Sequence, residues 1–513
     1  MVGSVLKEPQ NQIPRALANS VQTPALYPAL LGIVLVFLCL PVVICRYAPL
    51  VDYPSHLARA YILAHYQHVL RYQQNFVTTR ELLPNLAIDI AGGYLLRFMD
   101  VTTFSRLFLA SIVLLFGFGC HKLGCAIRGR PTMMAILCCF LIYNSMLFYG
   151  SVNYLFGLGM FCVTCAYYLE YRSQWTLLRL LFVGTLVFVS YVAHQSAYAF
   201  LAATFIVVAA IDYYAKAQLG TLLSAIGLIV PETVVYFTNP HHDLTTAIRW
   251  DGLRQKMIGF GAFVFTYSYW FDVSFVVMVI FLLLLALRLN RSPVVVRPTM
   301  IAGLLLFACY VLAPYEWLGS SPVDSRFIIP SLLLILLSFE WRIPRKQAKV
   351  ILAACLVLFS FRVAVVWRTW RALDREIGEQ VDMLNKALPE GASVYTAFLT
   401  VDSGAPISKA DRSFLHVSEY ATITRRALIP TQFAKVGQQP LLFRSQPFYK
   451  APLLQSPDWI GAMHRYQYAW SYALPDQFER VLQQNCMPIA KAGKGVLWRV
   501  LPADTSMKAK AVF

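Results

Sequence analysis

Apolar residues dominate the first three quarters of the chain in runs separated by short polar breaks, and a bilayer core about 30 Å thick needs roughly 20 of them per helix. Such runs lie near residues 26–45, 103–120, 132–149, 155–170, 176–193, 196–212, 220–237, 266–287, 299–315, 328–340 and 349–367. The pattern predicts a multi-pass α-helical membrane protein of about 11 transmembrane helices. Two breaks are long, at 46–102 and near 238–265, and loops of that length in a compact domain usually carry structure and function. In the first, Pro54 to Leu70 has the spacing of a helix lying on the membrane surface, with Leu57, Tyr61, Ala64 and His68 near one face. The partly apolar stretch Leu82 to Met99, interrupted by Gly92 and Gly93, offers a second such helix.

Beyond residue 370 the period changes. A polar helix carrying Asp374, Glu376, Glu379 and Lys386 comes first. Strand-like pieces follow at Ser393 to Leu399, Leu441 to Arg444, Tyr466 to Ala473 and Val496 to Val500. Between the last two, Pro475 to Gln484 reads as a helix, with Pro475 near its start and Asp476 and Glu479 in its first turn. Residues 369–513 are therefore expected to form a C-terminal soluble α/β domain, after a membrane domain spanning 26–368.

Of the 513 residues, 58% are hydrophobic and only 14% charged, which is too apolar for a soluble domain, so the surplus must face lipid. The formal charge of +18 could suggest nucleic acid, but Lys and Arg gather in short loops between apolar runs, where they orient a membrane protein. The segment 1–25, with Lys7 and Arg15, is expected to be cytoplasmic. The loops on its side then hold Lys122, Arg128 and Arg130; Arg172; Lys216; Arg288, Arg291 and Arg297; and Arg342, Arg345, Lys346 and Lys349. An odd number of spans puts the C-terminal domain on the other side, which for a bacterial inner membrane is the periplasm. Most of the 11 cysteines, such as Cys138, Cys139, Cys162 and Cys165, fall within apolar runs. The tail holds only Cys486, so the cysteines read as small core residues rather than disulfide partners. No cleavable signal peptide is evident, because the first run is long enough to stay as an anchor.

Candidate chemistry concentrates just outside the first run, in Val51-Asp52-Tyr53-Pro54-Ser55-His56-Leu57-Ala58-Arg59. Pro54 suits the first turn of a helix, so Asp52 falls at or just before its N-terminus, where an acid is held by the helix dipole. Capping is the plainer role for Asp52, and it is compatible with catalysis. His194-Gln195-Ser196, between the fifth and sixth runs, could line a pocket or form a tight turn. Tyr149-Gly150-Ser151-Val152-Asn153 joins the third run to the fourth and reads chiefly as a turn. His241 and His242, followed by Asp243, could bind a divalent metal if the loop aimed both rings together, although a polar loop is the simpler account. Nothing else in the sequence calls for a cofactor. Glu170, Arg172 and Arg179 fall near the inner ends of spans, as snorkelling anchors do. No Walker loop, Rossmann fingerprint, HExxH or haem motif stands in a suitable context, which argues against nucleotide-driven transport and soluble-cofactor redox chemistry.

With its long first outer loop opening on Asp52, surface helices in that loop, about 11 spans and an outer α/β domain, the chain resembles the C-type (GT-C) superfamily of integral-membrane glycosyltransferases. The resemblance implies transfer of a sugar from a polyprenyl-phosphate donor to a lipid, glycan or protein acceptor on the periplasmic face, with inversion. Asp52 would be the base or a metal ligand, with His56 beside it. That family often carries paired acids in this loop. Here Tyr53 follows Asp52, and Asp89, in Asn85-Leu86-Ala87-Ile88-Asp89, is the nearest candidate for a second acid.

Attack by a hydroxyl requires its deprotonation, and the leaving lipid phosphate requires a cation. The outer-side candidates are Arg326 in Val323-Asp324-Ser325-Arg326, Arg362 near the end of the last run, and Arg249 in the second long loop. Arg326 is favoured, with a local salt bridge to Asp324 as the competing account. His194, Asp324 and Asn153 are candidates for the acceptor side of the pocket. A transporter or flippase of lipid-linked or envelope glycans is the alternative, weakened by the scarcity of charge deep in the spans and the lack of visible repeats.

Overall fold

The computed structural model describes residues 26–79, 81–216, 219–238, 248–264, 266–290, 294–317, 320–399, 409–434, 437–445 and 458–502. The expected N-terminal segment 1–25 and the pair His241 and His242 lie outside these residues. Helix occupies every predicted apolar run. Among the described residues, seven helices are long and apolar enough to cross a membrane: Tyr27–Ile44, Val101–Arg128, Val152–Tyr171, Gln195–Ala215, Leu219–Thr238, Tyr269–Leu289 and Arg345–Ala387. Met133–Tyr149, Leu177–Ala193 and Arg297–Leu312 are shorter, and Ile328–Ser338 has only 11 residues. Met133–Tyr149 is also broken. Its first helix tightens into a single turn at Phe140–Ile142, and a second helix, Ser145–Tyr149, restarts on Asn144, whose side chain accepts from the backbone N–H groups of Met146 and Leu147.

Two clusters of charged and titratable side chains join loops that are distant in sequence. Arg128 and Arg130 reach Glu340 at 2.5 and 2.9 Å, so loops assigned to one side of the bundle meet one another. Asp52 and His416, from the first long loop and the C-terminal region, meet elsewhere.

The last span and the polar helix that follows it are one element. Arg345–Ala387 runs unbroken for 43 residues, about 65 Å at the α-helical rise. The cause is legible: Pro344 stands at its start, Pro389 follows its end, and no proline lies between. Its distal half carries the C-terminal domain, with Tyr472 donating to Glu376 at 2.6 Å and Gln380 donating to the Ala492 carbonyl at 2.7 Å.

That domain is built on a four-stranded sheet in the order Val394–Ala397, Tyr468–Tyr472, Gly495–Val500, Cys486–Ala492. The first pair is parallel and the others antiparallel. Cys486–Ala492 escapes the sequence pattern because it contains Pro488 and Lys491. It is an edge strand with an irregularity between Pro488 and Ala490, a place where a missing N–H costs little. Leu441–Phe443, predicted within the domain, instead pairs antiparallel with Phe76–Thr78 of the first long loop.

The helix expected over Pro54 to Leu70 is Tyr53–His65, and it has no exposed face, since none of its residues is exposed. Nine of its 13 residues are buried, including Ser55, Arg59 and Ala60, on more than one face. It is sandwiched between the bundle and the C-terminal domain: Phe433 N–H donates to Ser55 Oγ at 2.9 Å and Gln432 donates to the Ser55 carbonyl at 2.8 Å. The second loop helix is Ala87–Leu95. It packs so closely on Tyr53–His65 that a Cβ on Gly92 would stand 2.7 Å from Ala60 Cβ, which is why glycine interrupts this stretch.

Candidate functional site

Asp52 is fixed through its backbone. Its N–H donates to the Tyr149 carbonyl at 2.9 Å, the neighbouring Val51 N–H donates to Phe148 at 3.0 Å, and its own carbonyl accepts from His56 at 3.2 Å. The turn at Tyr149-Gly150 is thus the seat of Asp52. Gly150 adopts φ +81°, and a Cβ there would lie 2.8 Å from the Tyr53 nitrogen and 2.9 Å from that of Asp52. Asp52 occupies the N-cap position of Tyr53–His65, but its carboxylate makes no capping hydrogen bond. The side chain is 34% exposed and faces His416, whose Nε2 is 3.7 Å from Oδ1.

One and two turns along the same helix stand His56 and Arg59, spacings that put both on the face begun by Asp52. Arg59 is 1% exposed and forms a bidentate pair with Asp89, Nε to Oδ1 at 2.6 Å and Nη2 to Oδ2 at 2.8 Å. Its Nη2 also donates to His56 Nδ1 at 3.1 Å. That bond makes Nδ1 an acceptor, so the neutral imidazole carries its proton on Nε2. Burial, then the charges of Arg59, His416 and His194, hold His56 well below its ordinary pKa. Among the described residues, Arg59 Nη1 is buried with no hydrogen-bond partner. Arg59 closes the stretch singled out in the sequence but was given no role there, although its spacing of three and seven from His56 and Asp52 was a usable signal.

Asp89, the candidate second acid, is therefore the counter-ion of Arg59, held on a helix whose start is fastened by Asn153. Asn153 Oδ1 accepts from the Ile88 N–H at 2.9 Å, and its amide also donates to the Asn85 carbonyl. Asn85, at φ +71°, passes the connection on by accepting from the Gln195 N–H at 3.2 Å. In this structure Asn153 thus braces the loop. His194 is buried, with Nδ1 accepting from the Ser196 N–H at 3.1 Å and its ring edge-on to Tyr154. Burial and then the charge of Arg326 lower its pKa, while His194 in turn acts on His56, so these groups share one electrostatic neighbourhood.

Arg326 does not pair directly with Asp324. Asp324 is claimed by Lys256 at 2.5 Å, a buried ion pair that the sequence did not suggest. Arg326 Nη2 donates to Ser320 Oγ at 2.9 Å, and its Nε is buried without a hydrogen-bond partner among the described residues. The other two arginines have local occupations. Arg362 is 3% exposed and donates to the carbonyls of Tyr143 and Val264, both at 2.7 Å, serving backbone at the helix break described above. Arg249 is exposed, bridged through its backbone to Glu316 and stacked over Tyr315 at 4.5 Å. Among the described residues, no three His, Cys, Asp or Glu side chains converge as metal ligands do.

His416 and Glu419 were not singled out by sequence. They sit three apart in the C-terminal domain, with His416 Nδ1 2.5 Å from Glu419 Oε1. The site therefore combines a part-exposed carboxylate, three histidines and two arginines with unsatisfied N–H groups, at one end of an apolar helix bundle.

No family model matches the sequence, and no curated protein matches it. Among solved structures, the chain is similar to the crystal structure of ArnT from Cupriavidus metallidurans bound to undecaprenyl phosphate. The identity is 11% and the TM-score 0.48, over 93% of this chain and 98% of that one. It is also similar to the apo state of the same protein, at 12% identity and a TM-score of 0.46, over 92% and 97% of the two chains.

Proposed function

We propose that this chain is a membrane glycosyltransferase of the C-type architecture that moves a sugar from a polyprenyl-phosphate carrier to a lipid, glycan or protein acceptor. The observation that supports this most directly is the placement of Asp52: a part-exposed carboxylate on a rigidly held backbone, beside buried arginines whose unsatisfied N–H groups suit an anion. As the acceptor hydroxyl attacks the anomeric carbon, its O–H bond breaks and Asp52 takes the proton. The bond from that carbon to the phosphate oxygen breaks with its electron pair, and the lipid phosphate leaves with added negative charge. Arg59 and Arg326, each with a buried N–H that has no hydrogen-bond partner among the described residues, are the candidates to receive that charge, since bonds from guanidinium to phosphate are strong and directional. Displacement in one step inverts the sugar. The distribution of basic residues among the loops supports an N-terminus in the cytoplasm and the site on the periplasmic face.

The test is Asp52→Asn in full-length protein reconstituted in nanodiscs with an undecaprenyl-phosphate sugar and a mixed acceptor pool. Loss of transfer by a factor of about 100 or more, the usual worth of a general base, is expected. Undiminished transfer would remove Asp52 from the reaction.

A further inference from the structure

Glu419 is fully enclosed, at 0% side-chain exposure, and would be a costly charge if nothing answered it. Two groups do: His416 Nδ1 at 2.5 Å and the Thr431 hydroxyl at 2.8 Å, both on Oε1, while Oε2 is buried with no hydrogen-bond partner among the described residues. The other nitrogen of His416 looks at Asp52. A carboxylate facing each nitrogen favours the imidazolium, the form in which both nitrogens carry a proton. Burial alone would lower the pKa of His416, but the charge and hydrogen bond of Glu419, followed by the charge of Asp52, outweigh it and raise the pKa above 6.5. The third neighbour is His56, neutral and backed by Arg59, and the Phe433 ring stands edge-on to both imidazoles, 5.2 Å from His56 and 5.0 Å from His416. His416 is thus flanked by acids on two sides and by a neutral ring on the third.

The segment that carries these residues is fastened to the element that carries Asp52. Ser413 donates to the Pro49 carbonyl at 3.1 Å, and Gln432 and Phe433 both donate to Ser55, so the C-terminal domain grips the chain on either side of Asp52.

We propose that His416 and Glu419 are positioning residues supplied by the C-terminal domain, which completes the site by holding the Asp52 carboxylate in place. This inference rests on the transferase reading of Asp52. At 3.7 Å the contact is longer than a hydrogen bond, so His416 acts through its charge. It neither gains nor loses a proton in the transfer: the acceptor proton goes to Asp52 and from there to water. Glu419 keeps the imidazole charged and aimed. When His416 loses its proton at higher pH, the carboxylate loses its anchor and transfer slows.

The experiment uses the full-length chain in nanodiscs, with ¹⁵N-histidine NMR and sugar transfer measured across pH 5 to 9 on wild type, His416→Gln, Glu419→Gln and Asp52→Asn. One histidine signal, absent in His416→Gln, is expected to titrate above the ordinary value and to move to lower pH in both carboxylate variants. His416→Gln should lower kcat by about 10- to 100-fold, the usual cost of a displaced catalytic group, with KM for the donor unchanged, and should erase the alkaline fall in rate. Glu419→Gln should shift that fall to lower pH. If the His416 signal ignores Asp52→Asn, or if His416→Gln keeps the wild-type rate and pH profile while Asp52→Asn is dead, the positioning role is wrong and the transferase reading survives. If Asp52→Asn is itself fully active, the assignment of Asp52 as the base fails and this inference with it, while transfer itself stands.

Discussion

His416 Nε2 lies 3.7 Å from Asp52 Oδ1, joining the C-terminal domain to the first loop at the point where the chemistry is proposed to occur. The imidazole is raised in pKa by its acidic neighbours and so binds a proton more tightly in the folded protein than in the unfolded chain. Its stabilising contribution is therefore complete below about pH 6.5, the unperturbed value, and is lost as pH rises through the raised value. Thermal unfolding of wild type should show a midpoint that falls across that window, and the fall should be absent in His416→Gln. Equal pH slopes in the two proteins would show that the pair contributes nothing to docking.

Arg59 and Asp89 form a buried bidentate pair, and removing one partner strands the other in a nearly dry site. Arg59→Met or Asp89→Leu alone should each cost about 3 to 5 kcal/mol. The double variant should recover much of that loss, because no buried charge remains. Calorimetry or solvent unfolding in a defined detergent measures the cycle. Additive losses in the double variant would show that the two residues are not coupled.

Gly150 offers a way to move Asp52 without touching it. Gly150→Ala puts a Cβ against the nitrogens of Tyr53 and Asp52 and forces an L-residue into the left-handed region, costing about 1 to 2 kcal/mol from the backbone alone. Transfer should fall far more than stability does, since a 1 Å displacement of a reacting group costs on the order of 100-fold. A folded Gly150→Ala protein with wild-type turnover would show that the backbone of Asp52 tolerates the shift.

Arg362 distinguishes a structural cation from a phosphate ligand. Its guanidinium serves the Tyr143 and Val264 carbonyls. Arg362→Met should therefore lower the melting temperature, with each stranded carbonyl costing about 1 to 3 kcal/mol, while KM for the lipid donor stays unchanged in the protein that remains folded. A tenfold rise in KM at unaltered stability would return Arg362 to the donor site.

The positions of the helices were legible in sequence, because they follow from local causes, whereas the fusion of the last apolar run with the polar helix after residue 370 into one element was not read from it. Apolar period marks spans, and proline marks ends: Pro54 near the start of the helix after Asp52, Pro344 and Pro389 around Arg345–Ala387. Even Arg59 was within reach, by its spacing from Asp52 and His56. What no local pattern encodes is which distant groups share a site. Arg59 selects Asp89, Lys256 selects Asp324 in place of Arg326, and His416 with Glu419 closes on Asp52. Charge pairing is specified by distance and burial once the chain has packed, and a sequence reports only that charges exist. The burial of Tyr53–His65 follows the same logic. Its apolar face predicts one covered side, but only the docking of the C-terminal domain through Ser55 covers the other.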